Sequence, residues 1–228
     1  SWRVLNLPHD WSIEADFSVD NPATPGGGAL PGGIGWYRKT FTADAAYKDK
    51  NTYIDFDGIY WNSSVWINGH LLDERPGGYI SFRYDLTPYL KYGQENTIAV
   101  KVDNSRQPNS RWYSGSGIYR NVRLVTVDPL HIAHWGTYVT TENVSVESAD
   151  INLRITPENN RKESRNAELV SVITDDRGNA KAERSSSVTG LKEEKMETVQ
   201  VMKLAKPDLW SETRPHTIHI QTQVIANG

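Results

Sequence analysis

The chain contains no cysteine. Disulfides, thiol nucleophiles and Cys-ligated zinc are thereby excluded. No apolar run approaches the ~18 residues of a membrane-spanning helix, so no membrane partner is expected. Charge of either sign is not in excess: 25 basic residues stand against 28 acidic ones, a net charge of −3. Nucleic-acid binding leaves a basic stripe on a domain, so nucleic acid is not an expected partner either. No signal peptide is visible, because Ser1-Trp2-Arg3 opens directly on a folded-looking pattern. The motifs of a nucleophile elbow, a P-loop, a zinc protease helix and a dinucleotide-binding turn are all missing. No cofactor is implied.

What is present is a period of two. Strand-like stretches run over 35–42 (GWYRKTFT), 51–56 (NTYIDF), 64–68 (SVWIN), 96–103 (NTIAVKVD) and 121–127 (NVRLVTV). Each is rich in β-branched and aromatic residues and is bounded by Gly, Pro, Asn or Asp. Asn68-Gly69 between VWI and HLL predicts a type I′ hairpin, in which both central residues take positive φ. The stretch 85–90 (DLTPYL) predicts one helical turn, capped by Asp85 or Thr87, with Pro88 at its first position. The segment 21–35 (NPATPGGGALPGGIG) can be neither helix nor central strand. It is read either as a mobile surface loop or as a loop ordered by something outside this chain.

After Pro129 the composition changes: Gly and Trp thin out while Lys, Glu and Ser rise. Strands are predicted at 150–156, 167–174, 197–203 and 216–224, with a turn at Asp176-Arg177-Gly178-Asn179. A sandwich of the immunoglobulin type takes about 100 residues. The 228 residues therefore divide into a first domain over 1–129 and a seven-stranded immunoglobulin-like domain over 130–228. The fold class is all-β.

Candidate chemistry is sparse. His131 and His134 lie three apart, as do His216 and His219. The first pair lies near the domain junction, and the second lies on a predicted strand, where residues three apart face opposite sides, so His216 and His219 cannot share a metal and no metal site is assigned. Asp55 and Asp57 share a face of one strand, but no apolar pocket nearby would raise one of them for acid work. They are read as a solvated strand edge. The dense polar-aromatic stretch is 103–120 (DNSRQPNSRWYSGSGIYR). Its amides and guanidinium groups suit sugar hydroxyls, and its rings suit the apolar face of a sugar. Alternatively Arg106, Arg111 and Arg120 simply pin the loop. Functional residues concentrate on loops carried by rigid scaffolds, so the loop as a whole is read as a functional edge.

At this loop the sequence resembles glycoside hydrolase family 2, the group of β-galactosidases, β-glucuronidases and β-mannosidases. RWYSGSGIYRNV resembles the end of the family's N-terminal sugar-binding-type domain. GWYRKTF resembles its opening strand, and IDFDGIYWNSSVWINGHLL its central hairpin. GGYISFRYDLTPYLKYGQENTIAVKVDN resembles the segment that follows. PDLWSETRPHTIHI resembles the last strands of the next, immunoglobulin-like domain, and LPHDW an opening found in the galactosidase-type branch.

The resemblance implies a jelly-roll, galactose-binding-like β-sandwich followed by an immunoglobulin-like sandwich. In the family a catalytic (β/α)8 barrel follows, carrying the acid/base and nucleophile glutamates. The chain is therefore expected to be non-catalytic, with its own barrel and a carbohydrate as partners, and with a homo-oligomer left open for the full-length enzyme. First-domain residues just before the Gly-Ile-Tyr-Arg motif help bind sugar in the family's β-galactosidases. Here these are Asn109, Arg111, Trp112 and Tyr113, although the best-known enzymes carry an acidic residue near the position of Arg111. LPHDW and the Gly-rich segment favour a β-galactosidase acting with retention. The alternatives are an autonomous carbohydrate-binding module, with Trp61 or Trp112 as its platform, and a structural protein built of sandwiches. A periplasmic or secreted location is favoured over a cytoplasmic one.

Overall fold

The computed structural model describes residues 2–110 and 112–226. The chain forms two compact units, one reaching to Val127 and one starting at Asp128. Each is a β-sandwich, the first of the jelly-roll type and the second immunoglobulin-like.

The first unit holds β1 (Gly33–Thr42), β2 (Asn51–Phe56), β3 (Ser63–Ile67), β4 (His70–Arg75), β5 (Phe82–Asp85), β6 (Glu95–Asn104) and β7 (Val122–Val127). One sheet has the order β1-β6-β3-β4 and the other β5-β2-β7. All pairings between these strands are antiparallel. Alternation fixes which face is buried, because a slip of one residue would invert every side chain. On β6, Asn96, Ile98, Val100, Val102 and Asn104 point inward, and on β2 Thr52, Ile54 and Phe56 do so. Phe56 and Phe82 stack between neighbouring strands, with ring centroids 5.1 Å apart. Burying one such ring contributes about 1.5–3 kcal/mol.

The Asn68-Gly69 hairpin forms as predicted, with φ of 52° and 86°. Asn68 adds a tie beyond the turn. Its amide donates to Asn96 Oδ1 (2.8 Å) and the Tyr89 carbonyl (2.9 Å), and its oxygen accepts from the Thr97 N–H (3.0 Å). The turn at 85–90 is a 3-10 turn, Thr87–Tyr89. Asp85 Oδ1 accepts from the Thr87 N–H at 2.9 Å. Pro88 thus sits at the second position rather than the first, because the turn begins one residue earlier than predicted.

The second unit holds β8 (Leu130–Glu142), β9 (Ser148–Asn159), β10 (Arg165–Thr174), β11 (Ala180–Leu191), β12 (Glu194–Lys195), β13 (Thr198–Ala205) and β14 (His219–Ala226). One sheet is β11-β10-β14. In the other, β9 pairs with β8, β12 and β13. Leu153 and Ile155 on β9 face Leu169 and Ile173 on β10 in the core between the sheets. Gln200 of β13 is buried and donates across to the Leu169 carbonyl at 3.0 Å. The last strand starts at His219, so His216 lies outside it. His216 instead approaches Asp208, at 3.5 Å. Among the described residues, no group of three or more His, Cys, Asp or Glu is arranged to hold a metal ion.

Candidate functional site

The stretch 103–120 leaves β6 and returns to β7, and two other segments fold against it. The first is the N-terminal strap. The His9 N–H donates to the Ile118 carbonyl (2.8 Å) and the Trp11 N–H to the Ser116 carbonyl (3.0 Å). Asp10 Oδ1 accepts from the backbone N–H of both Ser12 and Ser116, at 2.8 Å each. A side chain at Gly115 would collide with the Asp10 carboxylate. His9 shares a 2.7 Å hydrogen bond with the Tyr37 hydroxyl through Nδ1, while Arg3 pairs with Glu14. The LPHDW motif therefore has a physical reading that its sequence does not advertise: Asp10 closes the returning limb of the loop.

The second segment is the Gly-rich stretch, and the chain's own residues tie it down at several points. Asn21 Nδ2 donates to the carbonyls of Asp16 (3.0 Å) and Ala29 (2.8 Å). Pro25–Gly27 form a 3-10 turn, and Ala23 and Leu30 are buried. Ser12 Oγ donates to the Pro31 carbonyl at 2.6 Å. Gly28, at φ 83°, lies directly beneath Tyr113, so that a β-carbon there would sit 2.7 Å from Tyr113 Cβ. Sequence composition shows the breakers but not the side chains that tie them down.

On this support stand the candidate residues. Trp112 is 74% exposed and Tyr113 52% exposed. The Trp112 N–H donates to Ser110 Oγ at 3.0 Å, and that hydroxyl donates to the Trp112 carbonyl at 2.6 Å. Asn109 is half-buried and engaged at both ends. Its Nδ2 donates to Asn104 Oδ1 (2.6 Å), and its Oδ1 accepts from Ser114 Oγ (2.9 Å). Arg111 lies outside the described residues. Arg106 and Arg120 are exposed. The platform suggested at Trp61 is half-buried. Its ring stacks on Tyr60 at 5.6 Å, with the indole N–H enclosed and unpartnered.

Among the described residues at and around this edge, several pKa values shift away from the range useful for proton transfer. Burial pushes Tyr37 up to about 12, and burial raises Tyr79 and Tyr119 as well. The Ser105 hydroxyl holds Asp103 below the ordinary carboxylate range, and the Arg3 hydrogen bond does the same for Glu14. Every one of these shifts moves a group away from neutrality, whereas a general acid or base works best with a pKa near the operating pH. The paired carboxylates are not a solvated edge. Arg83 grips Asp55 through two hydrogen bonds of 2.6 and 2.7 Å, and Arg123 Nη1 contacts both oxygens of Asp57 at 2.8 Å. Both are structural ion pairs.

Comparison with known proteins identifies the family. Residues 12–128 match the sugar binding domain of glycosyl hydrolases family 2, and residues 130–228 match a further family 2 domain. The chain belongs to glycoside hydrolase family 2. A β-galactosidase of Bacteroides ovatus is 50% identical over 99% of this family 2 chain, and a β-glucuronidase of Formosa agariphila is 33% identical over 98%. A solved family 2 structure from Bacteroides cellulosilyticus superposes with a TM-score of 0.95 at 37% identity, covering 98% of the chain. The chain spans only 27%, 25% and 30% of these three proteins.

Proposed function

We propose that this chain is the non-catalytic N-terminal region of a family 2 β-glycosidase. In this reading the first sandwich supplies one wall of the sugar site through Trp112 and Tyr113. The acid/base and nucleophile carboxylates belong to a barrel of about 250 residues carried by the full-length product. The observation behind the reading is an exposed aromatic pair seated on the Gly-rich stretch, with no carboxylate pair free of an Arg partner beside it among the described residues. Two carboxyl groups about 5–5.5 Å apart, the spacing of a retaining glycosidase, are expected in the barrel.

The substrate we favour is a terminal β-linked galactose. The 50% identity to a β-galactosidase and the LPHDW motif support it, while relatives named β-glucuronidase are also similar. An assay of the full-length product on aryl β-galactoside and aryl β-glucuronide separates the two. The purified 228-residue chain should hydrolyse neither, and turnover by it would place the chemistry inside these domains. The exposure of Trp112 also favours a second reading, an autonomous carbohydrate-binding module. Calorimetric titration of the chain with galactosides discriminates, since the first reading expects weak or no binding and the second tight binding. The same proposal locates the enzyme in the periplasm or outside the cell, which fractionation of its host would test.

A further inference from the structure

Asn104 is the last residue of β6, and it is fully buried. A buried carboxamide is costly unless its hydrogen bonds are made, and an aliphatic residue of similar size would fill the same space without that demand. The side chain has two N–H donors and an oxygen with two lone pairs, and all four are used. Oδ1 accepts from Gln107 Nε2 at 2.8 Å and from Asn109 Nδ2 at 2.6 Å. Nδ2 donates to the Gly115 carbonyl at 3.2 Å and to Ser116 Oγ at 2.8 Å. The orientation of the amide is fixed by chemistry, because the Gly115 carbonyl can only accept.

These partners are divided between the two limbs of the loop. Gln107 and Asn109 lie on the outgoing limb, Gly115 and Ser116 on the returning one, and the exposed Trp112 and Tyr113 lie between them. The cluster extends further. Ser116 Oγ lies 2.7 Å from Ser12 Oγ in a shared hydrogen bond, and the Ser116 N–H reaches Asp10. A fully satisfied buried network specifies one geometry, since any partial break strands a polar group in low dielectric.

We infer that Asn104 is a positioning residue for the sugar-facing loop: it locks the two limbs together and so presents Trp112 and Tyr113 in one arrangement. Asn109 is then a strut of this lock rather than a hydroxyl ligand. The sugar-binding half of the inference rests on the function proposed above, but the locking half does not. The lock also accounts for a loop that carries little regular backbone pairing of its own.

Two variants of the 228-residue chain test the lock. Asn104→Leu keeps the volume and removes all four bonds. Gln107→Ala removes from the half-buried outgoing limb both hydrogen bonds that Gln107 Nε2 makes to Asn104, at Oδ1 (2.8 Å) and at the backbone carbonyl (3.3 Å). Native-state chymotrypsin cleavage after Trp112 and Tyr113 follows the population of the opened loop. Asn104→Leu should speed it about tenfold or more, and Gln107→Ala about threefold. Hydrogen exchange in β1, β2 and β6 should stay unchanged in both. Cleavage at the wild-type rate in both variants would overturn the lock. Should Asn104→Leu fail to fold, the Gln107→Ala rate decides alone. In the full-length enzyme, Asn104→Leu should raise KM by about tenfold with kcat changed much less. Faster cleavage with an unchanged KM would sustain the lock and overturn the reading that this loop meets the sugar.

Discussion

The first sandwich packs aromatic rings into its core, Phe56 against Phe82 and Tyr84 beside them, with Trp11 of the N-terminal strap on its margin. The buried core of the second, among the described residues, is aliphatic, from Leu153 and Ile155 to Leu169 and Ile173. Their connections differ as well. In the first, buried polar groups far apart in sequence hold long segments: Asp10 reaches Ser116, Ser12 reaches Pro31, and Asn104 gathers both limbs of one loop. The second also buries long-range amides, Asn159 reaching the Leu191 carbonyl and Gln200 the Leu169 carbonyl, but its turns close on themselves. Asp175 accepts from the N–H groups of Arg177 and Asn179, and Ser145 from those of Glu147 and Ser148. A local turn only connects strands. The loop proposed to meet the sugar is one of these long held segments of the first sandwich.

The largest effects come from the cores. Phe56→Ala should cost about 3–5 kcal/mol and Leu169→Ala about 2–5 kcal/mol. If the two compact units unfold independently, each substitution lowers its own calorimetric transition and leaves the other in place. Equal shifts of both transitions by either variant would erase the distinction.

A paired glycine experiment is finer. Gly28 and Gly178 have nearly the same φ, 83° and 82°, but Gly28 touches Tyr113 and Gly178 has open space. Alanine at either should cost about 1–2 kcal/mol for the left-handed backbone. Only Gly28→Ala should also displace Tyr113 and hasten chymotrypsin cleavage of the loop. Identical cleavage rates in the two variants would mean that the Gly-rich stretch does not support the tip.

A third contrast is a pH dependence confined to the first unit. Burial raises Tyr37 to about 12 in the fold, against about 10 in an unfolded chain. Stability from the neutral phenol is therefore complete below pH 10 and is lost as the pH climbs to about 12. Tyr37→Phe should flatten that alkaline loss in a thermal-midpoint series, and an unchanged slope would assign the loss to other groups.

Alternation made β2, β6 and the Asn68-Gly69 hairpin legible in the sequence, because one face of each strand is buried and the other is not. Two long strands of the second unit were not legible, for different reasons. β8 is interrupted between Ile132 and Thr137, where Trp135 takes φ 54° and the register shifts against β9. β11 carries Lys181, Glu183 and Arg184 with few inward apolar residues, because it lies on the edge of its sheet. At the proposed site, the sequence marked the loop but not the bonding within it. Asn104 and Asn109 have the polarity of sugar ligands, and only burial and bonding distinguish a strut from a contact. Asp10 was visible merely as part of a motif, since its partner Ser116 lies 106 positions away.

The central claim is that the loop of the first sandwich forms a wall of the sugar site while the chemistry is done elsewhere. Steady-state kinetics of the full-length enzyme with Trp112→Ala and Tyr113→Ala combined test it most directly. The account expects KM for an aryl β-galactoside to rise about tenfold or more, an effect of ~1.4 kcal/mol or greater, with kcat within about threefold of wild type. Unchanged KM and kcat would contradict it.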